Sequence, residues 1–204
     1  MVALYRCRTS LREVEELFAA HTPLSAEWDA EVWPGRTGLA IVNQDGGRVV
    51  IAMTWGLPGG SDPCSSPGRS ATTIWFRELW PRYQALMAPE HRCVIVIEAF
   101  AKPDRYEGRA TRTWFGSDDV PLFGWPGIWR NGPQGPGFSG FLVAPDAIVD
   151  PHGSMPALLA AGDAASWLDQ ELAEASLSVR NTPSVEGMWR EPTEEPWATA
   201  PRSR

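Results

Sequence analysis

Two short apolar runs, Leu39-Ala-Ile-Val42 and Val49-Val-Ile-Ala-Met53, flank Asp45-Gly46-Gly47. The runs are rich in β-branched residues, and Asp-Gly between them supplies the left-handed turn of a tight hairpin. The same reading extends down the chain. Cys93-Val-Ile-Val-Ile97 predicts a buried strand, and residues 111–115, 121–129 and 138–143 predict more, with a Gly/Pro loop over 131–137. Helical spacing is rarer. Ser10 and Glu13 form a capping box ahead of the stripe Leu11, Val14, Leu17 and Phe18. Phe76, Leu79, Trp80, Tyr83 and Met87 also recur at helical spacing, and Asp163 is placed to cap a short helix carrying Trp167, Leu168 and Leu172. Strands and helices mix without regular βαβ alternation, which predicts an α+β fold rather than a doubly wound sheet. Residues 58–69 read as a loop. Beyond about Pro183 the chain turns Pro-, Glu- and Ser-rich, which predicts a domain over 1–180 and a mobile tail over 181–204.

Charge and composition narrow the function. The 204 residues are 43% hydrophobic with 11 Trp, enough for a real core, and the net charge is −7. Residues 131–204 carry 4 basic and 10 acidic groups, whereas 61–130 carry 9 and 8. An acidic balance argues against tight, indiscriminate nucleic-acid binding but leaves room for a local basic groove. Of 18 basic residues only one, Lys102, is a lysine. Cys7, Cys64 and Cys93 are an odd number without Cys-x-x-Cys spacing, which speaks against a disulfide scaffold and a cysteine zinc site. No apolar run approaches the roughly 18 residues that span a bilayer, and the first residues lack a signal-peptide core. The expectation is a cytoplasmic protein without membrane contact, metal or cofactor.

Six segments occur in an order that resembles the SRAP family, the SOS response-associated peptidases that process abasic sites. Met1-Val2-Ala3-Leu4-Tyr5 parallels the family opening Met-Cys-Asn-Leu-Tyr. Trp55-Gly56-Leu57-Pro58 follows the hairpin. Pro67-Gly68-Arg69 and Phe76-Arg77 stand where the family has an Asn-x-Arg loop and an aromatic-Arg pair. Arg92-Cys93-Val94 leads to Phe100-Ala101-Lys102-Pro103-Asp104, then come Pro126-Gly127-Ile128-Trp129 and His152-Gly153-Ser154-Met155-Pro156. The resemblance covers about residues 1–170. It implies a curved, barrel-like β core with flanking helices and a groove for single-stranded DNA around an abasic site. In the family the initiator Met is removed. The new N-terminal Cys closes a thiazolidine with the sugar aldehyde, assisted by an Asn, a Glu and a His.

Carried over residue by residue, the family's chemistry is largely gone. Val2 stands at the Cys position, Pro67 at the Asn position and Lys102 at the Glu position; His152 is kept, and Ser154 replaces a basic residue. Arg69 and Arg77 remain as phosphate contacts. The leading expectation is a degenerate member that binds single-stranded or abasic-site DNA without the cross-link, and so lacks the family's Cys-dependent activity. Two alternatives stand beside it. In one, Lys102 or the N-terminal amine forms a Schiff base with the aldehyde while His152 shuttles the proton. In the other, the scaffold is a protein-interaction module with an exposed apolar patch. Each residue also has a plainer reading: Lys102 as a solvated lysine, and His152 as a structural histidine. His21 and His91 read as surface residues, and Cys7 and Cys93 as packed thiols. Glu98, four residues before Lys102, is expected on the same strand face, where it would raise the lysine pKa. Arg105, Arg109 and Arg112 are further phosphate candidates, and Trp33, Trp55 and Trp75 are candidates for base stacking.

Overall fold

In the computed structural model, residues 2–58, 70–78, 83–145, 147–149, 153–180 and 187–197 are described. Their order is β1 (Leu4–Arg6), α1 (Leu11–Phe18), β2 (Glu31–Val32), β3 (Thr37–Gln44), β4 (Gly47–Trp55), β5 (Thr73–Trp75), β6 (Arg92–Ile97), β7 (Ala99–Tyr106), β8 (Arg109–Ser117), β9 (Phe123–Gly132), β10 (Gly135–Val143), β11 (Met155–Pro156), β12 (Leu159–Ala160), α2 (Ala161–Asp169), α3 (Leu172–Arg180) and β13 (Met188–Pro196). The class is α+β, as the sequence predicts.

The hairpin forms as expected. β3 and β4 pair from Thr37↔Thr54 to Gln44↔Gly47. Asp45 and Gly46 take φ of 51° and 81°, the left-handed pair that matches strand twist. From there a ring closes. β3 pairs with β6, β6 with β9, and β9 with β10. β10 returns to β4 in parallel through Gly137↔Thr54 and Phe138↔Trp55. The result is a five-stranded barrel with β5, β11 and β12 on its margins. Closure depends on close backbone approach. A Cβ on Gly127 would stand 2.4 Å from the Ser139 carbonyl oxygen, and one on Gly140 would stand 2.2 Å from the Trp125 ring. Inside, Tyr5, Trp55 and Trp125 meet edge to face with centroids 5.1–6.0 Å apart.

Helix α2 seals one side of the barrel. The Trp167 indole N–H donates to the carbonyls of Cys93 (2.9 Å) and Gly127 (3.2 Å). The buried Arg92 guanidinium donates to the carbonyls of Met87, Trp167 and Gln170. The Arg-Cys motif is therefore a brace between barrel and helix. A second sheet, ordered β13-β8-β7-β1-β2, packs beside the barrel. The chain passes between the two at Glu98, the bend from β6 to β7.

Four expectations need correction. The described part of the 76–87 segment is not an α-helix. Thr73–Trp75, just ahead of it, pair with β10 as β5, and within the segment single 3-10 turns stand at Phe76–Glu78 and Gln84–Met87. The 131–137 loop shrinks to Pro133-Gln134, because β9 and β10 pair as far as Gly132↔Gly135. Helix α2 starts at Ala161 with Ala160 as an uncapped N-cap, so Asp163 sits in its first turn, where it favours the helix dipole; Leu172 belongs to α3. Finally, Met188–Pro196 is no loose tail but a strand on β8, because Trp189 and Trp197 anchor it on a cluster of Leu4, Trp33, Ala99, Ala101 and Trp114. The capping box at Ser10 and Glu13 forms as read.

Candidate functional site

Side chains alternate across β7. Ala99 and Ala101 join the cluster with Trp114, while Phe100 faces the main core with Tyr5 and Phe115. Lys102 lies on the Phe100 face, opposite Thr113 of β8. It is 1% exposed, so the solvated reading of this lysine is overturned. Its Nζ donates to Ser154 Oγ at 3.4 Å, which draws the loop before β11 to β7. Burial lowers the ammonium pKa from 10.5 to about 8.

The antiparallel register of β1 on β7, Leu4↔Ala101 and Tyr5↔Phe100, carries the chain ahead of Leu4 towards Lys102. Val2, at the start of that segment, is completely buried. The start of β1 and the Gly153-Ser154 loop thus both come to the middle of β7, around Lys102. Asp104, two residues on, accepts a hydrogen bond from the Thr113 hydroxyl and pairs with Arg190 at 3.5 Å. Glu98 corrects another expectation. It sits at the bend before β7 rather than on the strand, and its carboxylate accepts the Arg8 backbone N–H.

His152, Pro67 and Arg69 lie outside the described residues, as does Cys64. Arg77 is exposed, with its guanidinium 4.6 Å from the Trp75 ring centroid. Arg105 and Arg109 are exposed on β7 and β8, whereas Arg112 is held by Glu31 (2.8 Å) and Glu195 (3.1 Å). Trp55 is core, with its indole N–H on the Thr72 carbonyl, and Trp33 is buried; neither offers a free face for a base. Cys7 and Cys93 are buried, and burial pushes both thiols well above their usual pKa. A cleft of about 240 Å³ lies between Thr54, Gly56, Pro58, Ser70 and Gln134, with no charged side chain among its described lining residues. Among the described residues, no group of three or more His, Cys, Asp or Glu is placed to hold a metal, and no helix is long and apolar enough to cross a membrane. Sequence reasoning did not foresee that Thr113 would flank Lys102, nor the ion-pair network around Glu31; both depend on strand pairing across distant segments.

No protein-family model matches the chain, and no curated protein does. Solved structures do. A structural-genomics protein from Bordetella bronchiseptica is 20% identical and covers 94% of this chain and 99% of its own, at a TM-score of 0.74. A phage-related protein from the same organism is 16% identical, covers 95% and 94%, and also scores 0.74. A protein from Bacteroides thetaiotaomicron is 15% identical over 94% and 91%, at 0.75. At these identities the likeness shows a shared fold that spans nearly the whole chain.

Proposed function

We propose that this chain is an SRAP-type protein that recognises abasic sites in single-stranded DNA, has lost thiazolidine chemistry, and captures the sugar aldehyde reversibly through Lys102. The substrate class comes from the sequence resemblance. The chemistry rests on one observation, a buried lysine with a pKa of about 8 beside the start of β1 and Ser154. At pH 7.4 about one fifth of such an amine is neutral, against about one part in a thousand for an ordinary lysine. The neutral Nζ adds to C1′ of the ring-opened sugar. A C–N bond forms, the carbonyl oxygen takes a proton, and loss of water leaves an imine that water later reverses. Val2 brings no thiol to trap it. Because Lys102 is 1% exposed, DNA reaches it only after the covering chain shifts, which makes capture slow.

The test is borohydride trapping on single-stranded DNA with one abasic site, beside Lys102→Ala. The expected result is a trapped adduct that the variant loses and that forms faster as pH rises towards 8. An adduct that persists in the variant moves the chemistry to the N-terminal amine. Salt-sensitive binding without an adduct leaves a DNA-binding pseudoenzyme. Neither adduct nor binding overturns the DNA reading in favour of a protein partner.

A further inference from the structure

Two positions at which this chain departs in charge from the SRAP pattern, Lys102 for a Glu and Ser154 for a basic residue, meet in the structure. Lys102 Nζ donates to Ser154 Oγ at 3.4 Å, and the two residues are 1% and 3% exposed. A guanidinium at position 154 would repel the ammonium, whereas a hydroxyl pairs with the amine in either charge state, because it both accepts and donates. The backbone fixes where that hydroxyl stands. Gly153 takes a φ of 80°, a left-handed turn. The chain after Ser154 is held on β10 by Met155↔Val143, by Pro156↔Leu142 and by the Ala157 N–H on the Phe141 carbonyl at 3.0 Å. The hydroxyl of Thr113, opposite Lys102 on β8, gives its one proton to Asp104 at 2.5 Å, and Asp104 also faces Arg190 at 3.5 Å.

Imine chemistry at a buried amine has a proton problem. When Nζ adds to an aldehyde carbon, the nitrogen gains a positive charge and the oxygen a negative one, and a proton must pass between them. The direct path closes a strained four-membered ring. In solution a water molecule bridges the two atoms and widens the ring to six. Bulk water is kept from an amine that is 1% exposed, so the bridging group has to come from the protein. A hydroxyl already in contact with Nζ is such a group.

We propose that Ser154 is a catalytic proton relay for Lys102. In the addition step one Nζ proton passes to Oγ while the Oγ proton passes to the alkoxide, which leaves a neutral carbinolamine. In the dehydration step Nζ gives its remaining proton to Oγ, Oγ gives its own to the departing hydroxyl, and the C–O bond breaks. Water and a neutral imine remain. The serine ends each step as it began, and hydrolysis of the imine runs the same path backwards. The proposal rests on aldehyde capture by Lys102 and adds the group that moves its protons.

The probe is acetaldehyde, small enough to reach an enclosed amine, added to the full chain. Borohydride stops the reaction at set times, and peptide mass mapping reads the fraction of Lys102 that carries an ethyl group. Ser154→Ala is expected to approach its final fraction about a hundredfold more slowly than wild type and to reach the same value, because a relay speeds both directions alike. Ser154→Thr keeps the hydroxyl and should recover most of the rate. Equal rates in wild type and Ser154→Ala, or no ethylation of Lys102 in wild type, overturns the proposal. A final fraction that falls with the rate also overturns it, since Ser154 then only sets the proton affinity of the amine. Abasic single-stranded DNA, run in parallel, separates this proposal from the one it rests on. Ser154-dependent reaction with acetaldehyde but no DNA adduct ends the DNA reading and keeps the relay. A Lys102 adduct with DNA, together with acetaldehyde capture that ignores Ser154, does the reverse. Should the variants misfold, unaltered protein in mixtures of light and heavy water decides the matter. Two protons in flight give a rate that falls along a curve as deuterium increases, and an unchanged rate overturns the relay.

Discussion

Lys102 sets a cost that pH can read out. Below about pH 8 the folded and unfolded chains both hold its proton, and the fold bears the full penalty of a buried ammonium. Between about 8 and the ordinary lysine value of 10.5 the unfolded chain binds more protons, so stability should rise with pH and then level off. Lys102→Met should be more stable than wild type at pH 7 by ~1–3 kcal/mol in urea unfolding, with the gain shrinking as pH passes through that window. A difference that stays flat from pH 7 to 10 counts against a depressed pKa. Arg92 behaves in the opposite way. Its removal strands three carbonyls between β6 and α2, so Arg92→Ala should cost ~3 kcal/mol or more by the same measurement. Cys7 and Cys93 should stay unlabelled by a thiol reagent in native protein and label on unfolding, as peptide mass mapping would show.

At the scale of elements, the signals that came through were local. Ser10 and Glu13 announce α1 because a capping box is complete within four residues. Ser10→Ala should lose about 1 kcal/mol of stability, and a change below a few tenths would mean that packing of Val14 and Phe18 alone holds the helix. The hairpin was legible for the same reason, since its turn chemistry is written in two residues. The Phe76–Met87 stripe misled because apolar spacing of this kind is met as well by the short 3-10 turns at Phe76–Glu78 and Gln84–Met87, which follow a strand held on β10. β13 was illegible because composition weighs every residue equally, whereas Trp189 and Trp197 pack on the Trp114 cluster and the strand pairs with the distant β8. Of the site, residue identities such as Lys102 and Val2 could be picked out by resemblance. Burial of Lys102 and its contact with Ser154 could not, because they follow from registers between segments some fifty residues apart in the chain.

The whole molecule carries a net charge of −7, yet its second sheet gathers Arg6, Arg8 and Arg112 on one face. On the proposed DNA reading, single-stranded DNA affinity should be modest at physiological salt and fall steeply as salt increases. Binding that ignores salt would point to a ligand held by apolar contact instead. Among the described residues, the large exposed apolar side chains are scattered, Leu24 between α1 and β2 and Leu177 on α3, which gives little support to a broad protein-docking patch. The barrel's last seam has a consequence in time. Thr54 and Trp55 wait for Gly137 and Phe138, so the inner face of the first hairpin has no complete partner until most of the chain exists. Such distant pairing slows folding. While a ribosome is still adding the later strands, Leu39, Ile41 and Val50 would lie open to other chains, so production of this protein should benefit from slow synthesis or from helpers that shield nascent β-structure.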